Sequence, residues 1–305
     1  MSPLRGIIYK VLSVVLFITM ASLVKATSAH VPPGEAVFFR SFFAMPVIVV
    51  WLALRRDLRT GYHTSNPLGH FWRGLVGTSA MALNFTALGL LPLPEVTAIG
   101  YAAPLLTVIF AAMFLGEQVR AFRLTAVALG LTGVLIVLSP RLTTAGMSAV
   151  TTAETLGAFV ALTGAGCVAL AQVFTRALVQ TESTAAVVFW FSVTATALSL
   201  LTLPFGWVIP SPAEAGLLVL AGVLGGVGQI FLTSAYRHAE AGVVAPFDYA
   251  SMLLAILIGY FVFQEVPTLV VLTGAALIIL AGVLIIWRER QLGIERARQN
   301  RARTP

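Results

Sequence analysis

The sequence predicts an all-α membrane protein: ten transmembrane helices arranged as two inverted five-helix repeats. Three observations predict it. Hydrophobic residues make up 58% of the 305 and charged residues only 10%, against about 45–50% and about 25% in soluble domains. The apolar residues gather into runs of roughly the 20 that a spanning helix requires. The stretch Glu95 to Glu117 is echoed at Val243 to Glu265, with Tyr101 and Tyr249, Glu117 and Glu265, and Ala87 and Ala235 all 148 positions apart. One offset held over so long a stretch marks an internal repeat, and it is close to half of the chain.

The runs fall at 6–28, 35–54, 70–90, 94–115, 121–138, 155–178, 183–203, 214–237, 242–263 and 268–287. The first has Arg5 and Lys10 ahead of an apolar run and small residues near Ala26 to Ala29, as a cleaved leader would. It also aligns with 155–178, Arg176 falling opposite Lys25, so it is expected to stay as helix 1. Short connections such as Leu91-Pro-Leu-Pro94 and Ala239-Glu-Ala241 make neighbouring helices antiparallel, and proline suits such turns because it cannot continue a helix. The expected division is 1–140 as the first repeat, 141–154 as an outside linker, 155–287 as the second repeat and 288–305 as a basic cytoplasmic tail. With the N-terminus inside, Arg5, Lys10, Arg55, Arg56, Arg59, Arg73, Arg120, Arg123, Arg176, Arg237 and the tail arginines fall on the cytoplasmic side. Only Arg141 sits in an outside loop, with Lys25 and Arg40 within helices near that side, so both termini are expected in the cytoplasm. Five helices per repeat then force the second half into the membrane upside down. That arrangement puts a binding site near the midplane, opening to alternate sides.

The Pro104 break in helix 4, the closing Phe114-Leu-Gly-Glu117 and the echo of Gly133-Val-Leu-Ile136 at Gly282-Val-Leu-Ile285 make the chain resemble the EamA-type drug/metabolite transporter superfamily over essentially its whole length. Glu35-Ala-Val-Phe-Phe-Arg40 and Ala245-Pro-Phe-Asp-Tyr249 are similar to the branch of S-adenosylmethionine and riboflavin uptake carriers. The second repeat departs from the closing motif, with Phe263-Gln264-Glu265. The resemblance implies a central cavity lined mainly by helices 3, 4, 8 and 9, without ATP hydrolysis.

Several residues stand out within this frame. Tyr101 and Tyr249 lie about 10–12 Å into their helices at 1.5 Å per residue, expected on opposite sides of the midplane, either packed with a satisfied hydroxyl or facing a solute. Pro104 and Pro246 break helices 4 and 9 and free backbone carbonyls, either as kinks or beside a site. Ionisable groups inside a span are costly and functional by default. Asp248, with Arg237 as a candidate partner, would meet a cationic group or carry a coupling proton. Lys25, Glu35 and Arg40 are expected to pair with one another, Arg40 doubling as an anion contact. Asn84 and Gln229 either join helices or line the cavity. Glu117 and Glu265, at helix ends, are expected to accept hydrogen bonds from the first amides of the following helix.

Other classes are excluded by context. Gly222 to Gln229 resembles a dinucleotide loop, but no strand precedes it inside a spanning run, and small-residue helix packing accounts for it. There is no GxxxxGK[ST] and no HExxH, so no cofactor, metal or catalytic group is expected. Cys167 is alone, which rules out an intrachain disulfide. The net charge of +7 comes from topology-setting arginines and not from a nucleic-acid surface. His30, His63, His70 and His238 lie in loops or at helix ends, unlike the clustered groups of an intramembrane enzyme. The expected partners are a small-molecule substrate and the lipid bilayer of the inner membrane. The leading substrate is a heterocyclic solute such as riboflavin or S-adenosylmethionine; an amino-acid or drug exporter is the alternative.

Overall fold

A computed structural model describes residues 3–56, 61–115, 121–143, 149–178, 181–238 and 245–303. Among them there is no strand. The helices are α1 (Pro3–Thr27), α2 (Pro33–Phe42), α3 (Ala44–Leu54), α4 (Pro67–Leu90), α5 (Leu93–Gly100), α6 (Ala102–Leu115), α7 (Ala121–Thr143), α8 (Ala149–Leu178), α9 (Thr184–Leu200), α10 (Pro212–His238), α11 (Ala250–Phe263) and α12 (Leu269–Arg303). A 3-10 turn, Ala245–Tyr249, leads into α11. Leu4–Thr27, Pro33–Leu54, Leu93–Phe114, Leu124–Arg141, Thr152–Thr175 and Pro212–Leu232 are long and apolar enough to cross a membrane. Ala185–Leu200, Phe247–Phe263 and Leu269–Leu284 are shorter apolar helices.

Local chemistry sets where these elements start and break. Asn66 caps α4 by accepting from the Gly69 amide at 2.9 Å, with Pro67 in the first turn where a missing N–H costs nothing. Ser183 caps α9 through the Ala186 amide. Ser211 and Glu214 form a reciprocal capping box at α10, the Ser211 amide donating to Glu214 at 2.8 Å and the Glu214 amide to the Ser211 hydroxyl at 3.3 Å. Two spans are interrupted by a single turn residue, Phe43 between α2 and α3 and Tyr101 between α5 and α6. Each precedes a proline by three positions, Pro46 and Pro104. A proline cannot donate to the carbonyl four residues back and its ring crowds that carbonyl. The break therefore falls at Tyr101 itself; Pro104 occupies the first turn of α6, and its ring is exposed.

Packing pairs each helix of the first half with one of the second. The most extensive contacts join α1 to α10, α4 to α8 and α7 to α12; α2 lies on α9 and α5 on α11. Close approach on α10 depends on its glycines. A Cβ at Gly222 would meet Phe43, at Gly225 Met20 and Arg40, at Gly226 Ala44 and Val47, and at Gly228 Phe17. The glycine run is thus the seat of α1, α2 and α3, as small-residue packing requires. The α7–α12 crossing is as close, and reciprocal. A Cβ at Gly133 would lie 2.8 Å from the Gly274 carbonyl oxygen, and one at Gly274 2.7 Å from that of Gly133. Large apolar side chains such as Leu135, Leu253 and Phe261 point outward, as the hydrocarbon phase of a bilayer favours.

Candidate functional site

The break at Tyr101 faces the 3-10 entry to α11, and the two tyrosines meet there. Their rings are edge to face at a centroid distance of 5.2 Å, so the two side chains are in direct contact across the two halves of the chain. The Tyr101 hydroxyl is 2.6 Å from the Ser251 hydroxyl, which itself donates to the Asp248 carbonyl at 2.7 Å. With the serine proton so engaged, Tyr101 is the donor. Its oxygen also lies 3.4 and 3.5 Å from the carbonyl oxygens of Asp248 and Tyr249, at the N-terminal entry to α11. The Tyr249 hydroxyl rests over Gly282 of α12, in space that any side chain there would fill.

Asp248 adds charge to this cluster. Its carboxylate pairs at 2.7 Å with Lys10 of α1; the Arg237 side chain, the partner expected from the sequence, is outside the described residues. Lys10 is 2% exposed and Asp248 43%, so one ion is sheathed by protein while the other keeps a polar face. Lys10 and Ser251 escaped the sequence reading. Lys10 reads as a topology-setting charge because it stands near the chain start, although it is an ionisable residue inside an apolar run. Ser251 carries no sequence signal beyond lying two residues past Tyr249.

The expected Lys25–Glu35–Arg40 network is not formed. Lys25 donates to the carbonyls of Leu88 and Leu91 at 3.0 and 2.6 Å and pairs with Glu265 at 2.9 Å. Glu35 accepts from the Val208 amide at 3.0 Å. Arg40 is 5% exposed and stands over the Phe191 ring, 5.7 Å from its centroid. Closeness in sequence misled here, because α1 ends against the α4–α5 turn while Arg40 points across to α9 and α10. Glu265 does serve a helix end, but its partner is the Leu93 amide at the start of α5, at 2.8 Å, and not the helix that follows it. Glu117 lies outside the described residues, as does the Pro246 side chain; the Pro246 backbone is part of the 3-10 turn. Arg141 belongs to the last turn of α7 instead of a loop, where it binds Glu95 of α5 at 2.8 Å and pairs with Glu154 of α8. His30 meets Glu214 at the same end. Asn84 and Gln229 are half-buried on α4 and α10, and the backbone of Asn84 packs against Gly164 of α8.

An all-helical bundle with proline-broken spans, a mixed aromatic and ionic centre and ion pairs linking its halves at one end has the parts of a membrane carrier. The model of the EamA-like transporter family matches residues 4–139 and 155–287. The chain belongs to the EamA-like transporter family. It is similar to the pseudopaline exporter CntI of Pseudomonas aeruginosa (strain PAO1), with 29% identity over 92% of this chain and 95% of that one. It is similar to the riboflavin transporter of Rhizobium johnstonii, with 30% identity covering 94% and 89%. It is also similar to the S-adenosylmethionine uptake transporter of Rickettsia conorii, with 26% identity covering 94% of each. A solved crystal structure superposes with a TM-score of 0.66 over 93% of this chain and 97% of that one at 22% identity, which supports the fold. The protein is therefore a multi-pass membrane transporter of the small-molecule type.

Proposed function

We propose that this EamA-family protein is a secondary carrier that moves a small organic metabolite across the inner membrane by alternating access, with both termini in the cytoplasm. The observation that carries the reading is the Tyr101–Tyr249–Ser251–Asp248–Lys10 cluster, set where two broken spans face each other. Unwound segments beside ionisable groups are where carriers hold solute and coupling ions. Two edge-to-face rings with polar tips suit a planar heterocycle, such as the solutes named for the Rhizobium and Rickettsia relatives. Asn84 of α4 and Gln229 of α10 are further polar candidates for contact with the solute. The pairing of α1 with α10 and of α8 with α4 has the symmetry that two inverted five-helix repeats would have. Asp248 is the coupling candidate, since its exposed carboxylate can exchange a proton while Lys10 stays in place.

The test is uptake into proteoliposomes with labelled riboflavin, S-adenosylmethionine and amino acids, with and without an imposed pH gradient. Flux above empty vesicles is expected for at least one solute, and Asp248→Asn is expected to abolish its dependence on the gradient. No flux for any solute in either direction would sink the carrier reading. A second reading, export of a small metabolite instead of uptake, is favoured by the Pseudomonas relative, which is named as an exporter, and counterflow from preloaded vesicles separates the two.

A further inference from the structure

The buried polar side-chain atoms without a hydrogen-bond partner among the described residues are Arg40 Nε, Ser41 Oγ, both ring nitrogens of His70 and Arg73 Nη1. They belong to two short stretches, 40–41 on α2 and 70–73 on α4, helices in contact with each other and with α9. Orphaned buried groups are rare in folded proteins, so this concentration needs a cause. Phe191 of α9 links the arginines. The guanidinium carbons of Arg40 and Arg73 lie 5.7 and 3.9 Å from its ring centroid, close enough for the two cations to repel. Arg40 is 5% and Arg73 9% exposed. Among the described residues neither has a carboxylate within ion-pair distance, and the hydrogen bond of Arg73 is to the Thr175 hydroxyl of α8, at 3.2 Å. Glu182 lies 3.6 Å from His70 and spends one oxygen on Ser65, Thr64 and Asn66.

Two buried cations on one aromatic ring, with N–H groups to spare, are costly by themselves. The arrangement becomes favourable once an anion supplies both the missing charge and the missing acceptors. We propose that Arg40 and Arg73 form a subsite for an oxyanion, a carboxylate or phosphate group carried by the transported solute; this rests on the carrier reading above. Guanidinium is the cation suited to this task, since its planar fork matches two oxygens of one group. Phe191 holds both guanidinium planes by cation–π attraction without offering a competing acceptor. The flanking Ser41 hydroxyl and His70 ring add donors beside the pair. The subsite makes the preferred solute an acid, which the Tyr101–Tyr249 cluster alone does not specify.

The experiment uses the purified full chain in neutral detergent and follows Tm as chloride is exchanged for acetate or inorganic phosphate at constant ionic strength, with acetamide as the uncharged control. Acetate or phosphate is expected to raise Tm saturably and acetamide to leave it unchanged. Loss of a charged hydrogen-bonding partner weakens such binding roughly ten- to a hundredfold, so Arg40→Gln and Arg73→Gln should raise the half-saturating concentration by that factor. Should Arg73→Gln fail to fold, Arg73→Lys keeps the charge, removes the fork and is expected to give a several-fold increase. A flat response in the wild type, or an unchanged one in the variants, overturns the proposal. If added phosphatidylglycerol reproduces the whole effect and abolishes the acetate response, the anion is a lipid headgroup and the assignment to solute falls. A flat anion response alongside solute flux in proteoliposomes removes this subsite and leaves the carrier reading intact; a saturable response without flux does the reverse.

Discussion

Replacing Lys25 by methionine should open one end of the bundle. Lys25 ties three elements together: its ammonium reaches the carbonyls of Leu88 and Leu91 around the α4–α5 turn and the carboxylate of Glu265 after α11. Glu265 in turn holds the first amide of α5. Lys25 and Glu265 are only 12% and 18% exposed, so their pairing is little screened by solvent. Removing one partner of a buried pair costs about 3–5 kcal/mol, and the residual exposure argues for the lower end. At about 1.4 kcal/mol per factor of ten, about 3 kcal/mol is roughly a hundredfold shift from the closed toward the open arrangement of this end. The reporter is a single cysteine at Ala98, a fully buried position on α5, in a Cys167→Ala background. It is labelled in membranes by an impermeant maleimide. Labelling in Lys25→Met should accelerate by one to two orders of magnitude over the parent, and Lys25→Arg should restore most of the protection. Equal labelling rates with and without Lys25 would refute the idea that this tie governs access.

Three further outcomes follow from geometry. Gln264 ends α11 with φ 58°, in the left-handed region, where a side chain costs about 1 kcal/mol relative to glycine; Gln264→Gly should raise stability by about that amount in a denaturant or thermal melt. Gly282→Ala places a methyl on the Tyr249 hydroxyl; it should displace the ring and reduce solute affinity at least several-fold, while Gly216→Ala, where a Cβ meets nothing within 4 Å, should leave transport unchanged. Burial raises the pKa of Glu182, in the loop between α8 and α9, but hydrogen bonds from the Ser65 amide and hydroxyl, the Thr64 hydroxyl and the Asn66 amide outweigh it and hold the carboxyl at about 2. A depressed folded pKa stabilises above the unfolded value and is lost as pH falls through the folded one. Melts between pH 4.5 and 2 should therefore drop less steeply for Glu182→Gln than for the parent.

The helical runs were legible because hydropathy needs no partner, and six of the described helices are long and apolar enough to cross a membrane. The glycine run from Gly222 to Gly228 was legible for a similar reason, since its small residues can serve only close packing in such a context. Partners were a different matter. Lys25, Glu35 and Arg40 are near one another along the chain, yet Lys25 is held by Glu265, from the far half. Tyr101 and Tyr249 matched by offset, but an offset says nothing about which way two rings lean, and the helix break at Tyr101 swings its ring onto the other. Lys10 looked like any basic residue ahead of a first span until its burial against Asp248 was seen. The departure at Gln264 from the glycine of the first copy, Gly116, was visible as a mismatch; its meaning needed the left-handed backbone angle.

The crossing of Gly133 and Gly274 has a consequence for how the bundle can move. Two helices whose carbonyls touch the opposite glycine cannot roll or slide past each other without driving a side chain into backbone. Since α7 and α12 come from different halves, this backbone-on-backbone crossing is one of the places where the halves are held. A rearrangement that exposes the interior is expected to swing about it, as a door does about its post. The helical continuation of α12 to Arg303 projects from the post, so a fluorophore fixed there is a stationary reference against which the travel of α1 and α4 can be measured.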